Sequence, residues 1–126
     1  MSDRRWTFLV TAGYIAVTVA LAWPVSVHPA SLVLADNPDS ELGLWTLAWN
    51  AHAFLTNPLN LFDANIYFPY PNTLAYSENL IGVALLAAPV IWVTGNPVLA
   101  TNLVQLLTVV LSGTGTCLLA RRIGIS

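Results

Sequence analysis

The sequence predicts an all-α membrane protein, and three observations favour that fold class. Hydrophobic residues make up 56% of the 126-residue chain, and charged residues only 8%. Soluble domains carry roughly 25% charged residues, and a soluble fold of this length cannot bury so much apolar surface. Two long stretches, 7–27 and 79–120, contain no charge. We therefore expect one membrane domain over 1–126, with about three transmembrane helices and an interfacial juxtamembrane helix in the first extracytoplasmic loop.

The charges are strongly segregated along the chain. The basic residues stand at the two ends, as Arg4, Arg5, Arg121 and Arg122. Five of the six acids lie between them, as Asp36, Asp39, Glu41, Asp63 and Glu78. Nucleic-acid binding needs a basic surface, so this class of function is excluded. The single cysteine, Cys117, leaves no basis for a disulfide or zinc framework.

The first apolar stretch, 7–27, is long enough to span a bilayer as a helix. Arg4 and Arg5 precede it, and the positive-inside rule then predicts a cytoplasmic N-terminus in the plasma (inner) membrane. A cleaved signal peptide ending after "LVLA" is the alternative. The stretch is longer than a typical signal core and more apolar stretches follow, so we favour a signal anchor of a multi-pass protein.

The second stretch divides at "TGNP", residues 94–97, because Gly and Asn suit a turn and Pro97 suits the first turn of a helix. It predicts transmembrane helices at 79–94, which contains Pro89, and at 97–120. Three spans that start inside end outside, which places Arg121 and Arg122 against the positive-inside rule. Either the rule is violated, or 79–94 does not cross, or later helices determine the topology.

The central segment, 28–78, is too polar to span and forms the extracytoplasmic loop. Asn37-Pro38 predicts a helix start, and the helix then covers about 38–55. Asp39 and Glu41 fall in its first turn, where acids complement the helix dipole. Trp45, Trp49 and His52 share one face of this helix, which indicates a position at the membrane surface. His52 is a packing residue or a ligand for a metal or phosphate.

An aromatic and proline-rich stretch, "IYFPYPNTLAY" at 66–76, follows this helix. Its aromatic residues are Tyr67, Phe68, Tyr70 and Tyr76. Such residues anchor proteins at the headgroup level. They could alternatively form the wall of a groove for a sugar or a lipid phosphate. Glu78 lies at the start of the next apolar helix, where an acid is again favoured by the dipole.

Three motifs together resemble the N-terminal part of bacterial multi-pass membrane glycosyltransferases of the GT-C type. They are "DSELGLWTLAWNAHAF", "NPLNLFDANIYFPYPNTLAYSENLIG" and "NPVLATNLVQLL…LSGTGTCLLARRIG". The resemblance covers about residues 30–124 and is closest to poorly characterised members with an aromatic-Tyr-Pro loop. Those members commonly have Phe-Tyr-Pro, whereas this chain has Tyr67-Phe68-Pro69. The family's enzymes are several times longer, so we expect this chain to be an N-terminal fragment that packs against further C-terminal helices.

The resemblance implies a specific chemistry. GT-C enzymes transfer a sugar from a polyprenyl-phosphate carrier to an acceptor on the outer face of the membrane, using an acidic residue of the first loop as general base. The matching residue is Asp39, with Glu41 as its neighbour and Asp36 as a substitute. A second carboxylate can share a divalent metal with the first. Positions 39 and 41 of a helix point about 200° apart, however, which makes Asp39 alone the stronger candidate.

Further contacts to substrate are expected from Glu78, His52, Tyr67 and Tyr70. The partners that this reading implies are membrane lipid and a polyprenyl-phosphate-linked sugar donor, with transfer of a hexosyl or pentosyl group. A non-catalytic multi-pass membrane protein, such as an assembly or transport component with the same scaffold, is the alternative. The fragment alone is expected to be inactive, because the carrier-binding half is missing.

Overall fold

A computed structural model describes residues 3–34 and 37–124, and all of its regular secondary structure within those ranges is helical. The all-α class expected from composition is therefore confirmed. The four α-helices are α1 (Asp3–Leu21), α2 (Pro38–Thr56), α3 (Ile81–Thr94) and α4 (Pro97–Arg122). Two 3-10 helices, Pro58–Asn60 and Thr73–Tyr76, lie in the segment that joins α2 to α3.

The long helix α4 contacts all three other helices. Its N-terminal half packs against α2 and α3 around a small buried cluster. The members are Leu47, Ala84, Ala87, Ala100 and Val104. Alanines at the contact between α3 and α4 allow the two backbones to approach closely, which is how helices pack where no long side chains intervene.

Helix α1 runs antiparallel to the C-terminal half of α4. The Arg121 guanidinium donates to the Asp3 carboxylate at 2.6 Å, and Thr114 Oγ1 donates to Thr11 Oγ1 at 3.5 Å. As residue numbers rise in α1, their partners' numbers fall in α4. The first turn of α1, with Arg4 and Arg5, therefore lies at the same end as the last turn of α4.

A glycine creates the closest approach between α1 and α4. A Cβ atom built on Gly113 lies 2.3–2.7 Å from three ring atoms of Tyr14, far inside van der Waals contact. The same construction on Gly115 meets no atom within 4 Å. The small-residue run at 112–117 therefore serves helix packing at Gly113, where the Tyr14 ring lies against the backbone.

Helix α1 ends at Leu21, earlier than the apolar stretch to residue 27 suggests. Pro24 lacks an amide hydrogen and its ring interferes with a continuous helix. The chain continues through hydrogen-bonded turns, for example from the Ser26 amide to the Ala22 carbonyl at 3.0 Å. Buried Asn102 of α4 then donates to the carbonyls of Pro29 and Leu32, at 2.8 and 2.6 Å. The segment after α1 is thereby fixed to the N-terminal half of α4.

In the turn between α3 and α4, Gly95 and Pro97 act as "TGNP" predicts, whereas Asn96 has an extended backbone and caps a helix. Gly95 adopts a φ of 67° after the last residue of α3, a left-handed conformation that glycine adopts readily. Asn96 caps α4, because its Oδ1 accepts the Leu99 amide at 2.9 Å, and Pro97 follows in the first turn. Helices α3 and α4 are thus neighbours joined by two residues.

Among the described residues, one helix, α4, is long and apolar enough to cross a membrane, and α3 is a shorter apolar helix. Only 11% of the most apolar window of α4 is buried. This exposure distinguishes α4 from the mostly buried core helix of a soluble protein.

Candidate functional site

A cleft of about 580 Å³ opens between α2, the start of α3 and the middle of α4. Asp39 from α2 and Glu78 from the residues before α3 both line it. Helix α4 contributes polar side chains to the opposite wall, namely Thr101, Gln105 and Thr108. The rest of the lining consists of leucines and valines together with Asn37, Ser40 and Gly43. The fold therefore brings two carboxylates that are distant in sequence to one largely apolar cleft.

The position of Asp39 follows from the way α2 begins. Asn37 has an extended conformation and its Oδ1 accepts the Ser40 amide at 2.9 Å, which is an N-cap. Pro38 follows as the first helical residue, where its missing amide costs nothing. Asp39 then projects from the first turn on the same stripe as Gly43 and Leu47, which also line the cleft. The side chain is exposed at the helix N-terminus, which suits an anion.

Asn50 holds the segment that carries Glu78. Its Nδ2 donates to the Asn79 carbonyl at 2.6 Å, and Asn79 Oδ1 in turn accepts the Ile81 amide at 3.2 Å. Leu80 adopts a left-handed φ of 51° beside this contact. Asn50 is fully buried, and its own Oδ1 has no partner among the described residues. Sequence reasoning missed Asn50, and no sequence signal identifies it, because its burial against the start of α3 is known only from the structure.

Glu41 lies in a different place from Asp39. It lines a second groove, of about 530 Å³, together with Trp45 and Tyr67. The two carboxylates of the Asp39-Ser40-Glu41 motif therefore open onto different surfaces of α2, as their helical spacing requires. The partner that the structure places with Asp39 is Glu78.

The aromatic loop is fixed to α2 by backbone and side-chain hydrogen bonds. The Trp49 indole donates to the Leu61 carbonyl at 2.9 Å. Asp63 accepts the Asn72 amide at 3.3 Å, and Thr73 Oγ1 donates to the Ala64 carbonyl at 3.2 Å. Asp63 thus supports the loop. On α2, Trp45 and Trp49 stack with ring centroids 6.1 Å apart, and the Trp49 indole bonds the segment that leads into the loop.

Two of the remaining candidate residues, His52 and Tyr70, do not line the cleft. His52 is exposed, with its ring 6.0 Å from that of Trp49. Tyr70 is exposed, and its amide donates to the Tyr67 carbonyl at 3.1 Å. Asp36 lies outside the described residues.

A divalent metal fits this arrangement only in part. Within residues 3–34 and 37–124, no group of three or more His, Cys, Asp or Glu side chains could hold a metal ion. Asp39 and Glu41, the pair suggested by the motif, line separate grooves. Asp39 and Glu78 could together supply carboxylate oxygens to Mg²⁺, which often uses one or two carboxylates and takes its other ligands from water and substrate phosphates.

No protein-family model matches this sequence, and comparisons with curated proteins and with solved structures gave no significant match.

Proposed function

We propose that this chain is the N-terminal portion of a polyprenyl-phosphate-sugar-dependent glycosyltransferase of the GT-C type, acting on the outer face of the membrane with Asp39 as general base. The observation that supports this most is the shared cleft of Asp39 and Glu78. It combines carboxylates with an apolar lining, as a site for a hydroxyl acceptor beside a lipid carrier requires. The sequence motifs add the resemblance described above.

In the proposed reaction, Asp39 removes the proton of an acceptor hydroxyl as its oxygen attacks the anomeric carbon. The bond to the carrier breaks, and the polyprenyl phosphate leaves with the electron pair. General-base assistance of this kind contributes about 10² to 10⁴ in rate. Glu78, in the same cleft, is suited to accept a hydrogen bond from a second hydroxyl of the acceptor. Asn50 positions Glu78 through the Asn79 carbonyl.

The donor's phosphate needs other groups. An anionic phosphate beside two carboxylates requires cationic or hydrogen-bonding partners, and the chain's only Lys or Arg residues are the four arginines at the opposite end. We propose that these partners lie on further helices of the full-length protein, packed against the open side of the cleft.

The proposed topology has two membrane crossings, with both arginine pairs on the cytoplasmic side. Helix α4 is long and apolar enough by itself, and α1, with 19 residues, is about 29 Å long, close to the thickness of the hydrocarbon core. Two observations support this topology. Antiparallel α1 and α4 place both arginine pairs at one end, in accord with the positive-inside rule. Asn96 and Asn102 bind the segment that follows α1, through the carbonyls of Ala30, Pro29 and Leu32. The turn between α3 and α4 therefore lies on the extracytoplasmic side, together with that segment.

Helix α3 then remains on the outer side instead of forming a third span. With 14 residues it is about 21 Å long, short of the roughly 30 Å hydrocarbon core. Helix α4, with 26 residues, is about 39 Å long. Counting about 20 residues back from Arg121 for the core reaches Thr101, which lines the cleft. The proposed site thus lies at the outer membrane boundary.

The test of function uses the full-length gene product in membrane vesicles. Transfer from polyprenyl-phosphate-linked hexose and pentose donors to a lipid-extracted acceptor is measured for Asp39→Asn and Asp39→Glu. We expect Asp39→Asn to reduce kcat at least about 100-fold, with partial recovery in Asp39→Glu. Asp3→Asn, an acid-to-amide change at the opposite end, is the control and retains activity. Full activity of Asp39→Asn overturns the base assignment, and a loss confined to Glu41→Gln moves the base to the other groove.

A non-catalytic membrane protein is the second candidate, and the first-turn position of both acids favours it. Asp39 and Glu41 stabilise the N-terminus of α2 through the helix dipole by about 0.3–1 kcal/mol each at the surface. On this reading Asp39→Asn lowers the stability of α2 and changes no transfer reaction. Measuring the unfolding free energy of the same variants therefore separates the two candidates.

A further inference from the structure

The second groove has a chemistry of its own. It is lined by Pro38, Glu41, Leu42, Trp45, Ile66 and Tyr67 and has a volume of about 530 Å³. We refer to it as the Glu41 groove. It is separate from the Asp39 cleft, so it is not explained by the proposed transfer reaction.

We propose that the Glu41 groove binds a small organic cation through an ammonium group. A carboxylate beside aromatic ring faces is the combination that recognises such cations, because the carboxylate supplies charge and the rings supply cation–π attraction. Glu41 and Trp45 are four residues apart on α2, so their side chains meet with Cβ atoms about 5–6 Å apart.

Trp45 is held in place by its neighbour on α2. The Trp45 and Trp49 rings are within 14° of parallel, with centroids 6.1 Å apart. Glu41 lies one helical turn from Trp45 on the side away from Trp49 in sequence, and it lines the same groove as Trp45. We place the ammonium group between the Glu41 carboxylate and the Trp45 ring, within the roughly 6 Å range of a cation–π interaction.

Tyr67 closes the groove from the loop. Its φ of 55° is in the left-handed region, which an aromatic side chain rarely adopts. The Tyr70 amide donates to the Tyr67 carbonyl at 3.1 Å, so a hydrogen-bonded turn follows Tyr67 directly. Strained backbone of this kind is concentrated at ligand sites, and here it presents a second aromatic ring beside Glu41.

The part of the molecule formed by α2 and the segment before α3 is acidic, which favours the binding of a cation over that of an anion. Asp39, Glu41, Asp63 and Glu78 all lie on α2 or the segment before α3, and no Lys or Arg occurs between Trp6 and Ala120. A phosphate in the Glu41 groove meets a carboxylate without a balancing positive side chain. The charge of Glu41 adds nothing to the binding of a neutral sugar. The experiment therefore compares a charged probe with an uncharged one.

The test uses the chain in maltoside micelles and choline as probe. We expect saturable choline binding by calorimetry, with nuclear Overhauser contacts from the N-methyl protons to an indole ring. The uncharged isostere 3,3-dimethylbutanol should bind at least about tenfold more weakly. Equal binding of both probes, or no saturable binding in micelles or nanodiscs, overturns the proposal.

Substitutions test whether choline binds in the Glu41 groove. Glu41→Gln should weaken choline binding about tenfold, whereas Glu78→Gln, which removes the same charge at the same end, should change it less than twofold. Trp45→Leu should abolish binding, and Trp45→Phe, which preserves packing, should weaken it several-fold. Equal weakening by Glu41→Gln and Glu78→Gln indicates a non-specific charge effect and overturns the site.

The ammonium group can be free or borne by a lipid, and a second arm separates the sources. The chain is placed in phosphatidylglycerol nanodiscs with or without phosphatidylcholine. Contacts from lipid N-methyl protons that Glu41→Gln removes identify a lipid headgroup, and saturable free choline with no lipid contact identifies a soluble cation. Neither result depends on glycosyl transfer, so failure here is distinguishable from failure of the proposed function.

Discussion

Asn50 Nδ2 donates to the backbone carbonyl of Asn79 at 2.6 Å, and this contact joins the middle of α2 to the residues that start α3. Asn79 follows Glu78 directly, whereas Asp39 lies 11 residues before Asn50, about 16 Å along α2. A buried amide thus fixes the chain beside Glu78, on one wall of the cleft.

Asn50→Asp should destabilise the protein by about 3 kcal/mol. The substitution is isosteric, but it removes the donor, places an acceptor against the Asn79 carbonyl and buries a charge. Unfolding by SDS in mixed micelles, followed by helical circular dichroism, measures the change. Asn60→Asp is the control, because the Asn60 side chain is exposed and its amide group bonds only the nearby Asn57 side chain. Wild-type stability of Asn50→Asp would falsify the anchoring role.

Gly113→Ala should separate α1 from α4 or displace the Tyr14 ring, at a cost of about 1–3 kcal/mol. The added Cβ meets three ring atoms at 2.3–2.7 Å. Gly115→Ala is a matched control two residues away, with open space at its Cβ, and should be neutral or stabilising because alanine favours a helix. Unfolding free energies in micelles compare the two. Rescue of Gly113→Ala by Tyr14→Ala identifies the ring as the cause, and equal effects of the two glycine substitutions contradict it.

Asn102→Leu should detach the segment after α1. Two hydrogen bonds to the Pro29 and Leu32 carbonyls are lost, and both carbonyls lose a buried partner, for a destabilisation of about 1–3 kcal/mol. Hydrogen exchange by mass spectrometry should show faster exchange over 26–34 than in the wild type. Thr116→Val, whose hydroxyl is exposed and bonds only the Ser112 carbonyl, is the control. Unchanged exchange over 26–34 rules out this attachment.

The two-crossing topology makes a prediction that three crossings do not share. In a Cys117→Ala background, single cysteines at Asn60 and Thr94 should react with an impermeant maleimide in intact cells. A cysteine at Ile123 should react only after lysis. Three crossings reverse the result at Thr94 and Ile123, so labelling of Ile123 from outside refutes the proposal. Asn60 serves as the internal reference, because it is extracytoplasmic in both topologies.

Local sequence signals account for the ends of several helices. Asn37-Pro38 and Asn96-Pro97 each place a capping side chain before a proline, and in the structure both Asn side chains accept a backbone amide three residues ahead. These signals act within one turn of helix, so they can be read without knowledge of the fold. Pro24 shows the limit of such local signals. A proline inside an apolar stretch does not by itself show where the helix ends, and the end of α1 is known only from the turns that follow it in the structure.

The juxtaposition of Asp39 with Glu78 could not be predicted. It depends on how α2 packs against the start of α3, and in particular on the Asn50 contact. Leu80 has a left-handed backbone at this point, and nothing about leucine signals such a turn. The antiparallel pairing of α1 with α4 likewise depends on contacts over more than 100 residues, such as Asp3 with Arg121.

The segregation of charge also gives the molecule an electrical orientation. In the proposed topology, the arginines lie on the negative side of an energised membrane and the acids of α2 and the following loop on the positive side. Carrying an elementary charge across the field involves about 2.3 kcal/mol per 100 mV. The membrane potential therefore favours the proposed orientation over the inverted one, and this preference grows with the voltage that the cell maintains.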